Sequence, residues 1–221
     1  MATRRRPLAT PTQSTLAAPT LADAQAAGFP VGGEPLALDL ADTLITVSDP
    51  PLDLLADDAR ARQFWTLQRA RLPAGAAAPD LAATRALRGA IRALLEARLG
   101  AREPSPDALD TLNAAAASAP GSPRLVVGVG GLAAGWRWHT EDGQALSLAT
   151  TASSAIDVLT GQAERLRRCA NPGCSMLFLA DSARRQWCTP NICGNRARVA
   201  RHYRRHRTAP GSMGSANCQP A

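Results

Sequence analysis

The sequence predicts an α+β fold. A mainly helical N-terminal domain carries one β-hairpin, and a small cysteine-rich module ending in a basic helix follows it. Three observations carry this. Apolar residues recur at helical spacing through residues 53–117 and again from residue 146. The period switches to two across residues 124–139. Four of the five cysteines then fall within 25 residues, Cys169 to Cys193.

Residues 1–33 are rich in Ala, Thr, Pro and Gly without apolar periodicity, and read as a disordered lead. Leu36 to Ile45 is an apolar run whose length does not decide between strand and helix. Asp53 to Leu72 reads as a helix through Leu54, Leu55, Ala61, Phe64, Trp65 and Leu67. Asp80 to Leu99 is a second, with Asp80 as N-cap, Leu87, Ile91, Leu94 and Leu95 on one stripe, and Gly100 as its stop. Ser105 to Ala117 is a third, with Leu109 and Leu112 inward. Arg124 to Val129 and Ala134 to His139 alternate as two strands around a Gly130-Gly131 turn, placing Trp136 and Trp138 on one face. Helical spacing returns from Leu146 and is expected to run directly into Cys169. Residues 34–164 therefore form the body, residues 165–207 the cysteine-rich module, and residues 208–221 a disordered tail holding Cys218.

All 25 basic residues are arginine, and the net charge of +7 is unevenly spread. Arg165 to Arg207 contains eleven arginines against one acid, Asp181, whereas residues 1–164 hold fourteen arginines and seventeen acids. A mildly acidic body thus carries a strongly basic end, which suits a polyanionic partner. No run is long and apolar enough for a membrane span. Arg4-Arg5-Arg6 lacks a following apolar segment, so no export signal is expected and the cytoplasm is the default location.

The cysteines form two close pairs, Cys169-x4-Cys174 and Cys188-x4-Cys193, separated by thirteen residues. Two such pairs supply the four tetrahedral thiolates of one structural zinc ion and leave no open coordination position for catalysis. Asn171-Pro172-Gly173 is turn material where the chain must curl around an ion. Leu177 to Leu179 reads as a short strand, with Trp187-Cys188 returning antiparallel to it, which makes the module a zinc-ribbon-like finger. So small a unit draws most of its folding free energy from the metal. Two disulfides or reduced buried cysteines are one alternative, and His202 with His206 replacing the first pair is another. The second leaves only eight residues between Cys193 and His202 and strands Cys169 and Cys174.

Asn195 is a suitable N-cap for a helix over Arg196 to Arg207, which holds six arginines and two histidines. Val199 and Tyr203 form a narrow stripe expected to dock on the finger. No acid from Ser182 onward offsets the arginines. Like charges at i, i+4, such as Arg201 and Arg205, repel by a few tenths of a kcal/mol per pair. Phosphates relieve that repulsion, so Arg196, Arg198, Arg201, His202, Arg204 and Arg205 are the candidate nucleic-acid contacts. A solvated helix, or one docked on the acidic body, is the alternative.

Cys188-Thr-Pro-Asn-Ile-Cys193-Gly194-Asn195-Arg196, followed by Arg201-His202-Tyr203-Arg204-Arg205, resembles the CGNR-type zinc finger. Arg167-Arg168-Cys169, Leu177-Phe178-Leu179 and Arg185-Gln186-Trp187 fit the same pattern. The body resembles the ABATE domain through Leu38-Asp39-Leu40-Ala41-Asp42-Thr43, Leu87-Arg88, Leu112-Asn113 and Pro123-Arg124-Leu125. The resemblance implies a bacterial, stress-induced transcription regulator. Its finger would bind DNA, and its body would sense a small-molecule effector or mediate association, including a homodimer. Two departures stand out. Asp42 occupies a position where the family favours Asn, and Ser175 follows Cys174 where Gly-Trp is common, which predicts a more loosely packed finger.

Weaker signals point elsewhere. Asp39 and Asp42 could pair for acid–base chemistry, with His139 the body's sole histidine; caps or solvated positions explain the carboxylates more simply. Gly128 to Gly131 is a turn and not a phosphate loop, because no Lys-Ser/Thr follows. The protein is expected not to be an enzyme. A zinc-scaffolded protein-interaction module is the rival to DNA binding.

Overall fold

The computed structural model describes residues 20–29 and 33–207. Most of the expected lead (residues 1–19), all of the tail, and Cys218 lie outside the described residues. The part of the lead that is described is ordered. Thr20 caps helix α1 (Leu21–Ala26) in a reciprocal capping box with Asp23. Beyond it, Phe29 is fully buried edge-on against Phe64, under the Arg60 guanidinium. The composition of residues 20–29 hid this because a single aromatic, not a periodic stripe, anchors the segment.

The ambiguous run resolves into both options. Helix α2 (Leu36–Ala41) is buried at every position, and the chain then turns into a two-residue strand, β1 (Leu44–Ile45). β1 pairs antiparallel with β2 (Leu52–Asp53). Asp53 therefore sits in a strand, not at a helix start. The helix expected from it begins later, as α3 (Asp58–Gln68), where the Asp57 carboxylate caps the Arg60 N–H.

Helix α4 (Leu81–Leu99) begins at Asp80 and stops at Gly100, as its sequence predicts. It packs on α2, on α5 (Pro106–Ala117) and on α6 (Gly143–Gly161). Leu87, Ile91, Leu94 and Leu95 form its core stripe. In α5, Leu112 is buried, but Leu109 is 39% exposed and does not point inward. The buried face of α6 is built from Ala149, Ala152, Ala155 and Val158, each 0% exposed. These small side chains let the neighbouring backbones approach closely, which is how an alanine-rich chain with few aromatics fills its interior.

Between α5 and α6 stands a hairpin of β3 (Gly121–Gly128) and β4 (Gly131–Trp138), in full eight-residue register. Gly131, at φ +111°, closes the turn in a conformation that favours glycine. α6 does not run into Cys169. It ends at Gly161, a 3-10 turn follows, and β5 (Leu166–Arg168) leads to the first cysteine. β5 pairs antiparallel with β6 (Leu177–Leu179), and this pairing replaces the partnership expected between residues 177–179 and Trp187. The hydrophobic period through Leu166 is real, but Leu166 enters the core from a strand.

Two arginines on α4 are buried. Arg88 makes a bidentate pair with Asp53 at 2.5 and 2.8 Å. Arg92 donates to the carbonyls of Ala41, Leu44 and Ser175 and lies 3.6 Å from Asp42. Asp39 and Asp42 are likewise buried, not solvated; Asp42 is the C-cap residue of α2, and neither carboxylate caps a helix N-terminus. Asp39 pairs with Arg71 at 2.5 Å, and both Asp42 oxygens accept the Leu177 N–H at 3.0 Å.

Burial pushes the Asp42 carboxyl well above its ordinary range, outweighing the Leu177 N–H and Arg92. An acid raised in the fold contributes most when protonated, so its contribution falls as pH rises from the unfolded value toward the folded one. Asp42→Asn keeps an acceptor for Leu177 and removes the buried charge. It should unfold no earlier than wild type at pH 7, with a flatter stability profile between mild acid and neutrality. Asp42→Ala should lose roughly 3 kcal/mol by orphaning the Leu177 N–H. Thermal unfolding across pH checks both.

Candidate metal centre

Cys169 leaves β5, and its N–H extends the ladder to the Met176 carbonyl at 3.0 Å. The chain then turns tightly. Gly173 N–H donates to the Asn171 side-chain oxygen at 3.0 Å, and Cys174 N–H to the Asn171 carbonyl at 2.9 Å. This Asx turn presents the second sulfur. Cys188 and Cys193 come from the far side. A π-helical turn over Pro190–Gly194 carries Cys193, and the Gly194 N–H bonds back to the Thr189 carbonyl at 3.2 Å. Gly194 packs on the Trp187 ring, where a side-chain carbon would sit 3.1 Å from Cδ1. That contact is tighter than an ordinary one and explains glycine after the last cysteine.

The four sulfurs lie within 4.8 Å of one another. Cys174 and Cys188 are 3.8 Å apart, and Cys188 and Cys193 are 3.6 Å apart. A zinc ion with Zn–S bonds of ~2.3 Å in a tetrahedron requires sulfurs about 3.8 Å apart. A disulfide requires about 2.05 Å, and all four thiols are free. The donor set therefore fits one structural zinc ion held by Cys169, Cys174, Cys188 and Cys193. The arrangement rejects the disulfide alternative and leaves His202 and His206 with no ligand role to fill.

Without a cation, this cluster opposes its own ionisation. The hydrogen bond that the Cys188 thiol shares with Cys174, together with burial, pushes that thiol far up; burial and the neighbouring sulfurs push Cys193 up to about 11. A divalent cation reverses that balance, so metal uptake near neutrality must release protons.

Arg185 braces the centre. Its guanidinium lies 4.6 Å over the Phe178 ring and donates to the carbonyls of Leu179, Trp187 and Cys188 and to Glu34. Phe178, fully buried, packs with Cys169, Ala180 and Cys193. Ser175 itself is tied into the packing. It is 3% exposed, accepts the Thr46 N–H at 3.1 Å and offers its carbonyl to Arg92, while Trp187 supplies the aromatic cover.

Helix α7 (Asn195–Arg207) starts without a break from the π turn. Asn195 is already helical, at φ −68° and ψ −46°, so it continues a helix instead of capping one. Arg196 and Arg198 are exposed on its first turns. Arg201, His202, Arg204 and Arg205 lie on the same helix; their side chains fall outside the described set. The apolar stripe is not buried: Val199 is 46% and Tyr203 65% exposed.

The carboxylates proposed for acid–base chemistry do not meet His139, which bonds Ser122 on the hairpin at 2.9 Å. A cleft at the body–finger seam is lined by Glu34, Arg71, Arg165, Asp181 and Arg185 among others, and by none of those three.

The ABATE family model, described as "Putative stress-induced transcription regulator", matches residues 34–162. The chain belongs to the ABATE family. The CGNR zinc finger model follows directly, over residues 165–206, and contains all four zinc ligands. No curated protein matches the chain. The ABATE body and the CGNR finger are not separate in space. Leu166, Leu177 and Leu179 of the finger belong to the body's hydrophobic core. Arg168 pairs with Glu96 of α4, and Glu34 accepts the Leu179 N–H at 2.9 Å. Sequence reasoning missed Glu34 and Arg92 as supports of the centre because their partners lie far away along the chain, and Arg185 because most of its partners are nearby backbone carbonyls that no spacing pattern marks.

Purified protein should carry one zinc per chain by elemental analysis, and cobalt substitution should give thiolate-to-metal charge-transfer bands. Chelation should lower the melting temperature of the whole chain in a single transition, because the two units share a core. Cys188→Ser should lose metal and most of that stability. A body transition indifferent to chelator would contradict the shared core.

Proposed function

We propose that this ABATE–CGNR protein is a zinc-dependent, DNA-binding transcription regulator of the cytoplasm that works without catalysis. The observation that carries the reading is the direct fusion of the last ligand, Cys193, to an arginine-rich helix. α7 carries six arginines, two exposed on its first turns and four on its remaining length, and no acid follows Asp181. An isolated helix of this charge is repelled by itself; a phosphate backbone relieves the repulsion. Arginine also suits guanine edges in the major groove. Arg196 and Arg198 lead the assignment, with Arg201, His202, Arg204 and Arg205 continuing along the helix. Four thiolates close the metal's coordination shell, which gives zinc a structural role.

The body contributes by association or by taking up a small effector, for which the arginine-lined seam cleft beside Glu34 is the natural place. No helix among the described residues is long and apolar enough to cross a membrane. The second reading, a protein-interaction module, is favoured by one observation: Ile192, Val199 and Tyr203 are exposed beside the arginines.

Salt titration of DNA affinity separates the two. Each phosphate-contacting arginine should contribute about one to the slope of log affinity against log salt, so Arg196→Ala and Arg198→Ala should each lower it by about 1. Chelation should abolish binding. No shift of any DNA at low salt, with zinc bound, would transfer the assignment to the interaction module.

A further inference from the structure

The β3–β4 hairpin presents an apolar surface that the body does not use. Cross-strand partners share a face. One face therefore carries Pro123, Leu125 and Val127 of β3 beside Trp136, Ala134 and Leu132 of β4, with Trp138 at its base. Only the base is anchored: Trp138 packs on the cluster of Ala119, Ala145, Leu146 and Ala149. The distal half is bare. Leu125 is 70% exposed, Val127 85%, Leu132 73%, and Val129 at the turn is completely exposed. The sheet has two strands, so both outer edges are open among the described residues.

We infer that this hairpin face is a homodimerisation surface, covered by the same face of a second copy. Four observations select that occupant. A two-stranded hairpin is marginal in water without a packed face, and here half of an eight-pair ladder has none. Residues 125–136 contain no charged side chain, which offers nothing to nucleic acid or to a charged partner and matches a neutral copy of itself. The four exposed residues present on the order of 500 Å². Adding Pro123, Ala134 and the open edge brings a two-fold contact toward the ~800 Å² per partner of a standard interface. An isologous contact of this kind closes at two copies.

The position also suits a dimer. The hairpin packs at the N-terminal end of α6, whereas the finger follows its C-terminal end, 19 residues on. That places the two about 28 Å apart along the helix. Paired hairpins would leave both arginine helices uncovered, which is the arrangement a pseudo-palindromic site requires. The surface itself does not depend on the DNA-binding proposal.

Sedimentation equilibrium of the full zinc-loaded chain, without DNA, tests it. Wild type should be a dimer at about 100 μM and dissociate on dilution. Val127→Glu and Leu132→Glu, each on a solvent-facing position, should weaken association at least tenfold while zinc content and circular dichroism stay unchanged. A wild-type monomer at that concentration overturns the inference, as does open-ended aggregation or a dimer that survives both substitutions.

Discussion

Strand β6 belongs to two interiors at once, and the rest of the molecule depends on that. Its period of two sends Leu177 and Leu179 into the helical core and Phe178 against the cysteines. One ladder joins it to β5; its other edge is closed by side chains, not by another strand. Asp42 accepts the Leu177 N–H and Glu34 accepts the Leu179 N–H, so two carboxylates replace the missing neighbour. A three-residue strand with so few backbone partners would have no independent stability. Held between a helical body and a metal, it becomes the joint that fixes one relative to the other.

Buried charge is the cost of this joint. Arg92 reaches from α4 to carbonyls in the body and in the finger, and Asp42 lies against it without a tight contact. Pairs of this kind add little net stability compared with apolar packing, but removing one member strands the other. What they supply is geometry. Hydrophobic contact alone would let the ribbon slide on α2 and α4, whereas the arginine and the carboxylates accept one register.

The sequence made some features plain and concealed others for physical reasons. The α4 helix, its cap and stop, the hairpin and the four ligands were legible because each is a local pattern: a period, a turn, a spacing. The α6-to-Cys169 segment was misread because Leu166 continues the helical stripe numerically while belonging to a strand. Phe29 was missed because one aromatic carries no period. Val199 and Tyr203 look like a docking stripe at i, i+4, yet both are exposed, because a two-residue stripe sets a spacing and not a partner. Glu34 and Asp42 could not be assigned because what they bond is a backbone edge more than a hundred residues away.

The π turn at Pro190–Gly194 couples the metal rigidly to the helix that follows. Because Cys193 sits inside that turn and α7 follows with no loop, there is no slack between the metal and the arginines. Each added or deleted residue after Cys193 would swing every downstream side chain by about 100° around the helix axis. Substitutions along α7 can therefore change single side chains in place, but length changes next to the last cysteine would redirect the whole set at once.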